Sequence, residues 1–170
     1  MSEPRYLGLD LGTNTGWALV EGNKIISSGI RLFTLKDGEH KGKRGLRFFN
    51  FLVGIGKVDE IYYELVQFSG ARKGGGAWAG DGGELYKGLL MIVNMYAAGW
   101  NVPVIGVHNG TLKKDFAGHG QAEKKDMCRI AHQMGWQGGT PGTDDMNDEV
   151  DAIALVVTQL KKLYNIEVSF

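Results

Sequence analysis

The fold is decided by the stretch Tyr6-Leu7-Gly8-Leu9-Asp10-Leu11, which continues directly into Gly12-Thr13-Asn14-Thr15-Gly16. An apolar run that ends in a glycine-bounded turn is typical of a central β-strand that leads into a hairpin. Asp10 is the single carboxylate in this run, and a charged side chain is costly to bury unless it is paired or binds a metal. Asp10 therefore either accepts hydrogen bonds from the amides of the turn or is the first ligand of a metal site to which later segments contribute.

The rest of the chain alternates short apolar runs with longer helical patterns, which is typical of an α/β domain. Strands are predicted at 6–11, 17–20, 24–29, 60–66 and 102–107. The first three are joined by tight turns and predict a three-strand antiparallel meander. Helices are predicted over 46–53, over 84–98, from near 121, and from about 148 onward.

Composition limits the possible functions. The 170 residues fit a single domain, and 19 basic against 19 acidic side chains leave no net charge, so a nucleic-acid role would need local basic clusters. The single cysteine, Cys128, excludes a disulfide within the chain, and we expect a buried, inert thiol. No apolar run approaches the roughly 18 residues of a membrane span. We therefore expect a soluble protein of a reducing compartment, the cytoplasm.

Glu64 is a second carboxylate within an apolar strand. It lies near the carboxyl end of the run 60–66, as Asp10 does in the first strand. If the two strands are neighbours, both carboxylates emerge at one sheet edge, where they repel each other unless one is protonated or a cation lies between them. The alternative is that Glu64 is an ordinary strand residue in a salt bridge.

An acidic segment opens the last helix. Helix-capping residues begin at Thr143, and Asp148 and Asp151 are three residues apart, so they share one side of the first turns. The helix dipole favours acidic residues in a first turn and accounts for Asp144, Asp145 and Glu149, but less well for Asp151, which borders the apolar stripe. The predicted core face consists of Val150, Ile153, Ala154, Val157, Leu160 and Tyr164.

Local basic clusters could supply the charge that the whole chain lacks. The candidates for DNA contact are Lys41, Lys43, Arg44, Phe68, Arg72, Lys73, Lys114 and Lys125. In the glycine-rich loop after Glu64, two cations attract phosphate, and Phe68 offers a flat face to an unpaired base. The helix that follows Gln121 is expected to present an anion site at its amino end. The alternative for each basic run is a solvated face.

The helix over 84–98 is apolar nearly all the way round. One stripe can face the sheet of its own domain, whereas the opposite stripe needs another partner. A homodimer contact satisfies this requirement, and burial beneath a loop is the alternative.

Taken together, these features resemble the RNase H-like fold in its RuvC version, the Holliday junction resolvases. The motifs that carry the resemblance are Gly8-Leu9-Asp10-Leu11-Gly12-Thr13-Asn14-Thr15-Gly16, Tyr63-Glu64, Thr111-Leu112-Lys113 with Gly118-His119-Gly120-Gln121-Ala122-Glu123-Lys124, and Asp148-Glu149-Val150-Asp151-Ala152-Ile153-Ala154. The resemblance implies one nuclease domain over 1–170, with a five-stranded mixed sheet flanked by helices. That sheet would combine the three-strand antiparallel meander with two parallel strands.

The same resemblance implies a metal-dependent endonuclease that cuts four-way DNA junctions as a homodimer. The residues that carry over as ligands of two Mg²⁺ ions are Asp10, Glu64, Asp148 and Asp151, and the active-site lysines are Lys113 and Lys124. Mn²⁺ could substitute for Mg²⁺. Phe68 carries over as the aromatic that meets the junction, although it lies one residue later relative to Glu64 than in the bacterial enzymes. The neutral net charge is consistent with a phage-type or otherwise divergent member.

Two other functions remain open at the level of sequence. The stretch Asp10-Leu11-Gly12-Thr13 also resembles the phosphate-binding hairpin of actin-like ATPases and sugar kinases. Those proteins need two copies of the fold to enclose a nucleotide, and 170 residues provide one. The other possibility is a non-catalytic RNase H-like module that binds nucleic acid or protein, against which the complete carboxylate set argues.

Overall fold

The chain is built on one sheet in the computed structural model, which describes residues 2–66, 81–139 and 146–170. The strands of this sheet are β1 (Arg5–Asp10), β2 (Asn14–Glu21), β3 (Lys24–Leu32), β4 (Glu60–Leu65) and β5 (Val104–His108). The helices in the described residues are α1 (Gly42–Ile55), α2 (Asp81–Trp100), α3 (Asn109–Ala117), α4 (Lys124–Gln133) and α5 (Asn147–Tyr164).

The sheet has the order β3-β2-β1-β4-β5, so β1 is its central strand. β1, β2 and β3 pair antiparallel, whereas β4 pairs parallel with both β1 and β5. The predicted fold class is therefore confirmed, with a three-strand meander plus two parallel strands. Leu9 pairs with Tyr63, so the next residue of each strand, Asp10 and Glu64, lies at the same edge of the sheet.

Side chains of β1 alternate between two cores, as the two-residue period of a strand requires. Leu7 and Leu9 belong to the core beneath α1 and α2. Tyr6 belongs to the opposite core, which is formed mainly with α4 and α5. The sheet is therefore covered by helices on both faces, and its carboxyl-terminal edge is left for the polar residues.

α5 is the helix that lies closest to the sheet. A Cβ atom on Gly16 would lie 1.7 Å from the carbonyl oxygen of Asp148, and one on Gly8 would lie 2.2 Å from that of Ala152. Only glycine fits at these positions, because the backbone of α5 rests directly on β1 and β2.

The prediction of an amphipathic last helix was only partly right. From Glu149 to Leu160 the helix is buried except at Asp151, because the sheet covers one side and α3 and α4 cover the other. Tyr164 was wrongly assigned to the core face, since it is 47% exposed. The residue before the helix, Met146, makes no side-chain cap, and the predicted capping residues 143–145 lie outside the described residues.

The segment between β5 and α5 also differs from its prediction. α3 was not predicted, because Gly110 and its polar neighbours leave Leu112 as the only buried residue of that helix and hide its period. α4 begins at Lys124 and not near Gln121, since Glu123 and Asp126 form a capping box there. None of the described helices combines the length and hydropathy that a membrane crossing needs.

Candidate metal centre

Three carboxylates converge where β1 and β4 end. One oxygen from each of Asp10, Glu64 and Asp151 lies within 4.8 Å of the other two. Asp10 closes β1, Glu64 is the last but one residue of β4, and Asp151 lies in the second turn of α5. Hard divalent cations prefer carboxylate oxygens, and three oxygens at this spacing could hold one metal ion.

The negative charges of these carboxylates repel one another. Burial, followed by repulsion from Asp151, Glu64 and Asp148, raises the pKa of Asp10 to about 8. Burial also raises the pKa of Asp151 to about 6, with repulsion by Glu64 as the next cause. A cation between the carboxylates would remove this repulsion. The arrangement of the acids is therefore more favourable with a bound metal ion than without one.

Asp148 stands slightly apart from the other three acids. Its charge contributes to the raised pKa of both Asp10 and Asp151, which places it beside them, but it is outside the three-oxygen cluster. Its Oδ1 accepts a hydrogen bond of 2.9 Å from Asn147 Nδ2. The predicted Asp148–Asp151 pair thus lies on one side of α5, with Asp151 at the cluster and Asp148 at its border.

The turn after β1 is held by Thr15 and not by Asp10. The Thr15 hydroxyl donates to the Gly12 carbonyl at 2.8 Å, and the Gly12 N–H points to Thr15 Oγ1 at 3.4 Å. Within the described residues, no hydrogen bond to the Asp10 carboxylate is formed. Of the two explanations for this carboxylate, the geometry therefore favours the metal ligand.

Both predicted active-site lysines act on the carboxylates. Lys124, the first residue of α4, lowers the pKa of Asp10 and of Asp151 against the stronger opposing effects. Lys113, on α3, lowers that of Asp151. Positive charge therefore lies on the side of the cluster that α3 and α4 form.

Asn109 is a site residue that sequence reasoning missed. It is the first residue of α3, and its Nδ2 donates a hydrogen bond of 2.7 Å to Glu64 Oε1. This contact fixes the orientation of the Glu64 carboxylate. The available signal was an asparagine directly after the carboxyl end of a predicted parallel strand, where site residues of such sheets collect.

The basic residues at the start of α1 lie beside a groove. Lys41 and Arg44 line a cavity of about 460 Å³ between α1 and α2, together with Thr13 from the turn after β1. Nε of Arg44 is buried and has no hydrogen-bond partner in the part of the chain that the structure describes. Lys43, in the first turn of α1, is exposed. Lys41 and Arg44 therefore share one groove with the turn that follows Asp10.

Arg47 belongs to the same basic run but has a structural role. Its guanidinium donates to both carboxylate oxygens of Glu39 and to the carbonyl of Thr34. It therefore ties α1 to the segment that precedes it.

The remaining predicted DNA contacts are dispersed. Lys114 is exposed in the last turn of α3, and Lys125 is exposed but paired with Glu123 at 2.7 Å. At the start of α4, where an anion site was expected, the Asp126 carboxylate accepts the Glu123 amide at 3.1 Å and the Glu123 carboxylate accepts the Asp126 amide. Phe68, Arg72 and Lys73 lie outside the described residues.

The strand order, the helices on both faces and the acidic sheet edge define the RNase H-like fold in its RuvC form. Thermus thermophilus RuvC superposes with a TM-score of 0.70 at 18% sequence identity, over 98% of this chain and 99% of that chain. T. thermophilus RuvC in complex with a Holliday junction substrate gives 0.68 at 18% identity, over 91% and 92%. The yeast mitochondrial Holliday junction resolvase Ydc2 gives 0.60 at 17% identity, over 96% and 83%.

No protein-family model matches the sequence, and no curated protein matches it significantly. At 17–18% identity the structural matches establish the fold. The carboxylate cluster, described from this chain's own residues, is what connects that fold to a chemistry.

Proposed function

We propose that this chain is a Mg²⁺-dependent endonuclease that resolves four-way DNA junctions by paired nicks from a homodimer. The observation that carries the proposal is the convergence of Asp10, Glu64 and Asp151 within 4.8 Å at one sheet edge. The shared fold supports it, since one matching structure is RuvC with a Holliday junction substrate. A single nuclease domain over residues 1–170 is part of the proposal, supported by a match that spans 98% of the chain.

In this proposal all four acids at the sheet edge contribute to metal binding. Asp10, Glu64 and Asp151 hold the metal, and Asp148 adds a fourth carboxylate, which suits two ions better than one. These carboxylates would hold two Mg²⁺ ions, which Mn²⁺ could replace, and the bound metal would supply activation of a water and charge stabilisation for phosphodiester hydrolysis. Asn109 holds Glu64 in its orientation by a hydrogen bond of 2.7 Å.

The two lysines near the cluster would act on the substrate. Lys113 and Lys124 lie on α3 and α4, beside the carboxylates whose pKa values they lower. A fixed cation placed where charge develops stabilises a transition state more than a ground state. We therefore assign both lysines to the negative charge that grows on the scissile phosphate.

DNA must be held by local charge, because the chain has no net charge. The proposed contacts are Lys41, Lys43, Arg44, Phe68, Arg72, Lys73, Lys114 and Lys125. Those at the start of α1 are supported by the groove that joins them to the turn after Asp10. Each phosphate that they neutralise releases counterions, which makes binding dependent on salt.

The homodimer follows from the symmetry of the substrate. A four-way junction offers two equivalent strands, and a two-fold dimer presents two matching sites. α2 supports this assembly, because Met91 and Met95 on its outer face are 62% and 61% exposed. Exposed apolar side chains on one helix face are typical of an interaction surface.

A nicking assay tests the proposal. Purified protein is mixed with four-way, Y-shaped, flap and linear DNA in Mg²⁺, and a parallel tube contains ATP. We expect symmetric nicks in the four-way junction, none after chelation of the metal, and no ATP hydrolysis. Equal cutting of all four substrates would contradict junction selectivity, and ATP hydrolysis without cutting would favour the kinase-like alternative.

Asn substitutions connect the activity to the cluster. Asp10→Asn and Asp151→Asn should each lower the cutting rate by at least about 10²- to 10³-fold while junction binding in gel shifts is kept. Asp115→Asn is the matched control, because Asp115 lies on α3 and faces Lys162 at 3.9 Å. Undiminished nicking by Asp151→Asn would remove that residue from the site.

A further inference from the structure

Glu149 is a buried carboxylate that the proposed function does not use. The sequence assigned it to the acids that the helix dipole favours in a first turn, but only 5% of it is exposed. A carboxylate is costly to bury unless it is hydrogen-bonded. Two donors from the described residues serve it, Ser28 Oγ at 2.6 Å and Trp136 Nε1 at 3.1 Å. Both reach the same oxygen, Oε1.

These two donors belong to separate parts of the fold. Ser28 lies on β3, the edge strand, and Trp136 follows α4. Trp136 is 3% exposed, and its backbone N–H donates a hydrogen bond of 3.0 Å to the Ala131 carbonyl of α4. Its own carbonyl lies 2.9 Å from His132 Nδ1. Glu149 therefore joins α5 to the sheet edge and to the helix that carries Lys124.

The direction of Glu149 matters for its neighbours. Successive residues of an α-helix are about 100° apart, so Glu149 leaves the axis about 130° away from the midpoint between Asp148 and Asp151. The contacts of Glu149 therefore fix the rotation of α5 about its own axis, and with it the direction in which Asp148 and Asp151 point. Met146, which precedes the helix, makes no side-chain cap, so among residues 2–66, 81–139 and 146–170 the contacts of Glu149 perform this task.

We propose that Glu149, held by Ser28 and Trp136, is a positioning residue that fixes the rotation of the first turn of α5 and so places Asp148 and Asp151 for cation binding. The inference rests on the proposed function only through the ligand role of those two carboxylates. Because both donors reach one oxygen, an amide oxygen at this position is sufficient. Glutamine should therefore replace Glu149, whereas an apolar residue should not.

The test is calorimetric titration of Mn²⁺ into the DNA-free protein, with thermal unfolding measured on the same samples. Glu149→Leu should weaken Mn²⁺ binding about tenfold, at the lower end of the 10- to 100-fold loss seen when groups that support metal ligands are removed. Glu149→Gln should bind like the wild type. If Glu149 were itself a ligand, glutamine would lose as much affinity as leucine, and that result would overturn the proposal.

Controls separate positioning from general destabilisation. Thr158→Val also removes a buried polar group from α5, where Thr158 Oγ1 donates to the Ala154 carbonyl at 2.7 Å, and it should leave Mn²⁺ affinity unchanged. Trp136→Phe and Ser28→Ala each remove one donor and should each weaken Mn²⁺ binding by less than Glu149→Leu does. They serve as the test if the leucine variant fails to fold, and wild-type affinity in both would contradict the inference.

Failure of the proposed function gives a different result. A wild-type protein that binds Mn²⁺ but cuts no DNA would refute the nuclease and leave the role of Glu149 to be decided by the binding data. A wild-type protein that binds no divalent cation would overturn both. In an active protein, Glu149→Leu should raise the Mg²⁺ concentration needed for half-maximal nicking about tenfold, while Glu149→Gln should not.

Discussion

The orientation of Glu64 depends on one neighbour, Asn109. Asn109→Ala removes the 2.7 Å hydrogen bond and leaves the carboxylate free to rotate. We expect Mg²⁺ affinity to fall about tenfold, because groups that orient metal ligands contribute 10- to 100-fold to affinity. The Mg²⁺ dependence of nicking measures this. Asn50→Ala, an equivalent change at an exposed position of α1, is the control and should have no effect.

Lys124 allows rate to be separated from affinity. Lys124→Ala should lower the single-turnover cutting rate by about 10²- to 10³-fold and change junction affinity little, since its charge is needed mainly in the transition state. Its neighbour Lys125 is exposed and paired with Glu123, so Lys125→Ala should affect binding and not rate. A Lys124→Ala variant that loses affinity but cuts normally once saturated would show a simple phosphate anchor.

The raised pKa values of Asp10 and Asp151, about 8 and about 6, predict the effect of pH on the metal-free protein. Both exceed the ordinary value of 3.8, so the folded state keeps protons that the unfolded chain has released. The stability that these protons provide is complete below about pH 4 and declines as pH rises, until the Asp151 part is lost above about pH 6 and the Asp10 part above about pH 8. We expect the melting temperature in chelator to fall over this range and Mg²⁺ to restore it. Asp10→Asn should flatten the decline, and an unchanged pH dependence would contradict the assignment.

At the scale of elements, the start of α1 should hold DNA by charge. Replacing Lys41, Lys43 and Arg44 by alanine should weaken junction binding and reduce the salt slope of the binding constant by about 0.9 for each phosphate that is no longer neutralised. Arg47→Ala removes the same charge from the same helix, but Arg47 binds Glu39 and the Thr34 carbonyl. It should lower thermal stability and leave the slope nearly unchanged; an equal reduction of the slope would show that position on α1 does not matter.

The elements also show where sequence reasoning succeeds. β1 and β4 were recognisable as apolar runs, and the carboxylate in each run indicated a site. The parallel pairing of the two strands brings these carboxylates, Asp10 and Glu64, to one edge. α3 was not, because a helix with one buried residue has no period to detect. The role of Glu149 depends on Ser28 and Trp136, which are 121 and 13 residues away along the chain. No local pattern indicates that contact.

α2 is the helix through which we expect two chains to assemble. The structure resolves which residues can take part: Leu89 is 1% exposed and faces the core, whereas Met91 and Met95 face outward. Met91→Glu with Met95→Glu should therefore reduce the light-scattering mass to one chain without changing the circular dichroism spectrum. Leu89→Glu should instead unfold the domain.

A matched control for assembly is Leu163→Glu, which places the same charge at a position that is 50% exposed near the end of α5. It should leave the mass unchanged. A wild-type mass of one chain, at concentrations where junctions are cut, would contradict the dimer. The sequence could indicate an apolar helix over 84–98 but not its outward face, since nearly every position around it is apolar.

The direct contact between the backbones of α5 and β2 has a consequence for the choice of ion. Because a Cβ atom at Gly16 would meet Asp148 at 1.7 Å, strand and helix have no spacer between them that could compress or swing aside. Asp10 lies on β1, where a Cβ atom on Gly8 would likewise lie 2.2 Å from the carbonyl oxygen of Ala152, so the gap between Asp10 and Asp151 on the helix is stiff. Mg²⁺ requires oxygens at about 2.0–2.1 Å, whereas Ca²⁺ needs about 2.3–2.6 Å and more ligands. We expect this rigid frame to favour Mg²⁺ over the larger Ca²⁺. Gly8 and Gly16, which are not metal ligands, would then contribute to the choice of ion by keeping α5 close to the sheet.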